Sequence, residues 1–386
     1  MRIKPFQALY PDFTKIGSPD VFCETAKEAF PEFRKQGLYR EFPQAAFYIY
    51  QMEDGHRKHT GLIALNEVSD LRDGKIKKHE HTIHDKERQQ MDLFLQWGAM
   101  LKPVLLTYPS VQAIEQWLQS YISRSPAFFT TRYQKDGQIH RMWPVTAPED
   151  IALLKNLFAQ HIPATYIADG HHRTTTVALL QEQFEGQAHA YDFEHLFCIF
   201  IGADELDILD FNRVVDLPDA WQAAALPGKL TELFDIESLD GPRRPARKYE
   251  MILYAAGRWY VLRWKQSLLE TFPPEQVLLD VSLLNKYVLH DLLGIHDIRT
   301  DRRIGYVDGS KGVGGFQQAV EAGNNRIGFM LFPVKLEDMM RIADAGESLP
   351  PKSTYFEPRI RTGVMVKGLF CVLVFLCFGV LEVLRF

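Results

Sequence analysis

At 386 residues, 46% of them apolar and 24% charged, the chain has the make-up of an ordinary globular protein and the length for two domains. A net charge of −5 argues against a general nucleic-acid binder, so no nucleic-acid partner is expected. The start, "MRIKPFQALYPDF", has no continuous apolar core of a secretory signal. The four cysteines, Cys23, Cys198, Cys371 and Cys377, show no metal-type pairing, so free thiols and a cytoplasmic setting are expected.

In chain order, "AAFYIYQM" and "TGLIALNEV" read as two strands joined by the polar "EDGHRK", a hairpin. "LRDGKI" is a turn, and "IHDKERQQMDLFLQWGAML" predicts a helix with Met91, Phe94, Leu95 and Gly98 near one face. "KPVLLTY" reads as a buried strand, "VQAIEQWLQSYIS" as a helix, and "TAPEDIALLKNLFAQH" as a helix with Pro148 near its start. "IPATYI" is a strand, and "HLFCIFIGA" and "DILDFNRVV" resemble paired strands. The turn-rich, basic "LDGPRRPARKYE" marks a soft boundary, giving an N-terminal region over residues 1–240 and a C-terminal α/β region over residues 241–366. Within the latter, "MILYAAGRWYVLRWK" reads as a hairpin, "SLLNKYVLHDLLGI" as a helix and "IGFMLFPVK" as a buried strand. "LEDMMRIADAGESLPPKSTYFEP" reads as a helix ended near Gly346, then a proline-punctuated loop. Strands interleaved with helices predict an α/β or α+β class, with a mixed sheet and flanking helices.

Residues 367–386 form an apolar tail whose uninterrupted run is shorter than the roughly 20 residues of a spanning helix. A tail anchor, a final strand with an apolar tail, and a non-native extension stay open. Membrane association is expected only through this segment.

Two polar clusters stand out. In "YIADGHHRTTTVALL" the run Asp169, Gly170, His171, His172 and Arg173 lies between an apolar strand and an apparent helix. Thr174, Thr175 and Thr176 offer hydroxyls to cap the starting helix. A helix start with free amides favours an anion, and Arg173 offers a bidentate fork for it. That side chain is therefore expected to serve a ligand and to matter little for stability. The second cluster, "KHEHTIHDKERQQ", holds His79, Glu80, His81 and His84. Glu80 is the candidate base, with His79 and His171 beside it as catalytic candidates. "HEH" lacks the spacing of a helical zinc motif, so the metal is left open, with His81 and Asp169 as candidate ligands and magnesium as the candidate ion. There is no GxSxG, and no cysteine adjoins a histidine cluster, which argues against a hydrolase triad. Arg213 at the end of an apolar run, and Lys352 and Ser353 in a proline-flanked loop, are further phosphate-contact candidates. "DGSKGVGG" matches neither a phosphate-binding loop nor a dinucleotide fingerprint and is read as a flexible loop. Phosphate handling fits these residues best.

"IKPFQALYP", "IKKHEHT", "YIADGHHR", "FNRVV" and "PPKSTYFEP" together resemble the bacterial and archaeal family known as domain of unknown function 1015, from Ile3 to about Gly363. The "DGHHR" loop is more distantly similar to that of the ParB-like and sulfiredoxin-like superfamily, which includes nucleotide-binding partition proteins and free-serine kinases. The likeness implies a ParB/sulfiredoxin-like core with Asp169, Gly170, His171 and Arg173 in the nucleotide or phosphate loop. It implies a kinase or phosphatase of a small metabolite such as serine or phosphoserine. The alternative is a nucleotide-binding regulatory or partner protein without turnover. His172 takes the variable position of the loop and counts here among the phosphate-contact candidates.

Overall fold

A computed structural model of the chain describes residues 1–55, 57–187, 191–218 and 220–370. Two compact units are formed. Met1–Leu206 with the returning Pro358–Phe386 makes the first, and Asp207–Glu357 the second. The boundary expected near residue 240 falls instead inside the second unit. The strands ending at Leu239 and starting at Glu250 both pair with Arg258–Trp264, so the basic turn-rich stretch is a loop within one sheet.

The first unit is built on a nine-stranded mixed sheet. Its strands are β1 (Ile3–Lys4), β2 (Phe47–Glu53), β3 (Lys58–Glu67), β4 (Ile76–Lys77), β5 (Val104–Tyr108), β6 (Phe129–Arg132), β7 (Ile139–Val145), β8 (Thr165–Asp169) and β9 (His195–Gly202). They run in the order β4-β8-β5-β9-β3-β2-β7-β6, and β1 adds to β3. The expected hairpin is the antiparallel β2–β3 pair. β5 and β9 are parallel and buried along their length, which is why both read as unbroken apolar runs. The longer helices described in this unit are α1 (Pro19–Lys35), α2 (His84–Trp97), α3 (Gln112–Arg124), α4 (Pro148–His161) and α5 (His171–Phe184). α2 packs on α5, and α5 on β5. On α2, Phe94 and Trp97 are buried, and Gly98 ends the helix at φ +57°. "HLFCIFIGA" does not pair with "DILDFNRVV": β9 lies between β3 and β5, and the second segment opens the other unit.

The second unit carries an antiparallel six-stranded sheet of β10 (Phe211–Asp216), β11 (Phe234–Leu239), β12 (Glu250–Ala255), β13 (Arg258–Trp264), β14 (Ile304–Asp308) and β15 (Arg326–Met330). Their order is β11-β13-β12-β15-β10-β14. α6 (Gly312–Glu321) lays Phe316 and Val320 into a core with Val214, Ile252, Trp259 and Met330. Gly328 lets this helix approach, since a Cβ there would meet Val320 at 2.5 Å. "DGSKGVGG" is therefore a 3-10 turn and the first turn of α6, because its glycines precede an amphipathic segment that the sheet draws in. The helix expected over "SLLNKYVLHDLLGI" is a short α-turn, Asp280–Leu283, continued by a π-helical stretch, Leu284–His290. α7 (Leu336–Asp344) stops just before Gly346, as expected.

The strand alternative for the tail holds at its start. Val366–Gly368 pairs with Ala8–Pro11 and with Ala99–Met100. Residues 371–386, on which the anchor reading falls, lie outside the described residues, as do Cys371 and Cys377. Among the described residues no helix is long and apolar enough to cross a membrane. Cys23 and Cys198 are buried free thiols.

Candidate functional site

The strand–turn–helix corner expected around residue 169 is present. Tyr166, Ile167 and Ala168 are buried in β8, and its ladder to β5 shifts register between Ile167 and Asp169. Such an irregularity re-aims the side chain that follows it. Gly170, at φ +108°, then turns the chain into α5. A Cβ at this position would also lie 2.8 Å from Nη2 of Arg173, so glycine is required twice over. α5 begins at His171, not after the threonines. Gly170 is its N-cap residue, and no side chain caps it. Thr174 instead donates from its hydroxyl to the Gly170 carbonyl, inside the first turn. The first-turn amides are thus left without a side-chain acceptor.

Asp169, 32% exposed at its side chain, sits among cations. Its Oδ2 accepts from Arg173 Nη2 at 2.6 Å and lies 3.4 Å from Lys102 Nζ. Burial alone would raise its pKa. Arg173, Lys102 and Arg359 together overcome that and hold the carboxyl well below the usual range. Lys102 is shifted down by burial, partly offset by Asp169. Arg173 is 13% exposed, and its Nη1 donates to the carbonyls of Lys102 and Pro103 at 3.2 and 2.9 Å. The fork expected to meet a ligand is therefore turned into the protein. Asp169 and Arg359 line a small crevice of about 10 Å³, room for one water, together with Met52, Leu105, Ile199, Ile201, Pro358 and Ile360.

The second motif converges on the same corner. His79 and His171 are buried, their rings edge to face with centroids 4.4 Å apart. The His79 amide donates to Nε2 of His171 at 3.4 Å, which puts the ring proton on Nδ1. That Nδ1 faces Glu80 Oε2 at 3.7 Å, and the Glu80 side chain is 47% exposed. Burial pushes His79 down to about 4 and His171 well below its ordinary value, His171 also through the neighbouring His79. Both are neutral at neutral pH, so neither offers a charged imidazolium to a substrate. His172 is lowered by burial and by Lys86, with Glu87 opposing, so it answers to the first turn of α2.

The remaining candidates fall elsewhere. His81 is exposed. Among the described residues no three His, Cys, Asp or Glu side chains are disposed to hold a metal ion, and Asp169 is already ion-paired. Arg213, Lys352 and Ser353 belong to the second unit. Arg213 is fully buried and donates to the carbonyls of Phe211, Pro351 and Lys352, so its guanidinium is turned into the protein and staples that loop. Ser353 donates to the Pro350 carbonyl, and Lys352, at φ +58°, lays its ammonium over the Phe211 ring. Two residues of the corner were not singled out by sequence, Lys102 and Arg359. Each is a basic residue at the edge of a motif already noted, "KPVLLTY" and "PPKSTYFEP", which was the available signal.

A mixed α/β fold with a cationic strand–glycine–helix corner is the class these features define. The chain belongs to the family described as protein of unknown function (DUF1015), which matches residues 11–282. The match is shorter than the span expected from the motifs, and "PPKSTYFEP" lies beyond it. No curated protein matches the chain. Among solved structures, one similar chain is a free serine kinase in complex with AMP, at 11% identity over 78% of this chain and 91% of that one, TM-score 0.37. SbnI with a C-terminal truncation, from Staphylococcus aureus, is similar at 11% identity over 78% and 85%, TM-score 0.40. A conserved hypothetical protein from Pyrococcus furiosus is similar at 13% identity over 78% and 93%, TM-score 0.36.

Proposed function

We propose that this protein binds a nucleotide or phosphorylated metabolite at the start of α5 and transfers a phosphoryl group to or from a small hydroxyl compound. The observation that carries the reading is the charge at that corner. Lys102 and Arg173 pair with one carboxylate, Asp169, at a helix start without a side-chain cap, and Arg359 lines the same crevice. Surplus positive charge and free amides at one point are the chemistry of a phosphate site. The resemblance of the "DGHHR" loop makes an adenine nucleotide, serine and phosphoserine the first ligands to try.

Glu80 supplies the base. It is half-exposed, and its Oε2 lies 3.7 Å from Nδ1 of His171. In the forward direction it accepts the hydroxyl proton as the oxygen attacks phosphorus, and the nucleoside diphosphate leaves. His79 and His171 act as buried, neutral supports that set the position of Glu80. Any magnesium would arrive on the phosphates, since no protein cage for it is formed among the described residues. A binder without turnover is the second reading. It is favoured by the burial of both histidines and needs only the cationic corner.

The test is an assay for phosphate transfer from adenine nucleotides to serine, and for release from phosphoserine. Glu80→Gln keeps size and removes basicity, so turnover should fall by about 100-fold or more while nucleotide affinity changes little. Full activity in the variant would remove Glu80 from the chemistry. Tight nucleotide binding with no turnover on any of these compounds would favour the second reading.

A further inference from the structure

We infer that the acceptor of the phosphoryl group carries an acid group beside its hydroxyl, and that Lys78 binds that acid. This rests on the phosphate reading above. His171 and Thr175 are four residues apart on α5, so their side chains are neighbours on one face, with Cβ atoms about 5–6 Å apart. The segment that follows β4 lays two side chains against that face. Oε2 of Glu80 is 3.7 Å from Nδ1 of His171, and Nζ of Lys78 is 3.5 Å from Oγ1 of Thr175. A candidate base and a cation therefore stand one helical turn apart, on the helix whose start offers its amides to the phosphate.

The ammonium of Lys78 has few demands on it. Its bond to the Thr175 hydroxyl is at the limit of hydrogen-bond length, and among the described residues no carboxylate lies within ion-pair distance of it. Lys75, by contrast, meets Asp70 at 3.1 Å, and Lys102 meets Asp169 at 3.4 Å. Glu87, the carboxylate whose charge Lys78 feels, is buried and already faces His84 at 3.1 Å. The Lys78 side chain is exposed, yet the protein around it pushes its pKa down, and an anion laid on it would offset that.

The order of groups along α5 decides which anion this is. The phosphate takes the end of the helix, with its free amides and the cations of the corner. The acceptor hydroxyl meets Glu80 beside the first residue of the helix. What reaches Lys78, a turn further on, is then the far side of the acceptor, and an ammonium selects an acid there. A hydroxyl and an acid group about two carbons apart fit that spacing. The acid takes no part in bond making. It orients the acceptor so that its oxygen faces phosphorus and its proton faces Glu80.

The experiment uses the full chain and two probes, O-phosphoserine and O-phosphoethanolamine, which differ only in the carboxylate. Titration calorimetry gives the affinities, and the apo melting temperature checks the fold. The wild type should bind O-phosphoserine about tenfold or more tightly than O-phosphoethanolamine, the scale of one charge-assisted hydrogen bond. Lys78→Met should abolish that preference while keeping the affinity for O-phosphoethanolamine within about threefold and the melting temperature unchanged. Lys78→Arg should retain the preference, and so should Lys86→Met, which removes an equal charge from the nearby start of α2. The inference is overturned if the wild type shows no preference, if Lys78→Met keeps it, or if Lys86→Met removes it equally. It is also overturned if Lys78→Met weakens both probes alike, which would put Lys78 on the phosphate. Failure of the wild type to bind either probe or AMP would bring down the phosphate reading itself, and this inference with it.

Discussion

Arg173→Ala is the variant on which sequence and structure give opposite expectations. From the sequence the side chain serves a ligand, and its loss should leave the apo protein as stable as before. In the structure it is 13% exposed and donates to the carbonyls of Lys102 and Pro103 and to Oδ2 of Asp169. Hydrogen bonds from a charged donor are each worth about 1.5–3 kcal/mol, but water can reach part of the gap and Lys102 remains beside Asp169. A net loss of about 3–4 kcal/mol is expected, the range for breaking a buried hydrogen-bonded ion-pair network. In a unit of this size that corresponds to roughly 6–16 °C of melting temperature. Calorimetric or circular-dichroism melting of the apo protein, followed by the tertiary signal of the first unit, measures it. A fall below about 2 °C would show that the bonds at Arg173 add nothing to the fold, and would return the residue to the ligand.

Gly170→Ala should cost about 2–4 kcal/mol, because φ +108° is strained for any side chain and the new Cβ would displace Arg173; a melting curve like the wild type's would contradict the account of the turn. In the second unit Asp280 is buried, accepts from the Tyr249 amide and Trp264 Nε1, and has its pKa pushed up to about 6 by burial. A carboxyl raised above its unfolded value of about 3.8 stabilises fully below that value, and the contribution is lost as pH rises through 6. The loss is about 3 kcal/mol at one unit per 1.36 kcal/mol. Urea unfolding of wild type and Asp280→Asn from pH 4 to 8 should therefore show the wild type losing ground to the variant by about that amount, and parallel profiles would refute it.

The elements around the site follow from local pattern alone. Apolar runs of strand length mark β5 and β9 as buried, and Asp169-Gly170 before a helical pattern marks the corner, because a reversal from strand to helix at φ above zero needs glycine. Even the convergence of the two polar clusters could be read, since unpaired polar groups at an apolar junction must find partners, and His79 and His171 found each other. The i, i+4 spacing of Asp169 and Arg173 also carried their pairing, had it been weighed against the pull of a ligand. Which cation faces outwards, by contrast, is set by tertiary packing. The inward turn of Arg173 depends on two carbonyls at the entry of β5, and the presence of Lys102 and Arg359 depends on strand order and on the chain's return at Pro358. Likewise Arg213 reads as an exposed phosphate contact until the loop of Pro351 and Lys352 closes over it. Local pattern fixes the periodicity of burial, but a side chain's partners come from segments brought together by packing, and there the residue's own neighbours in sequence say nothing.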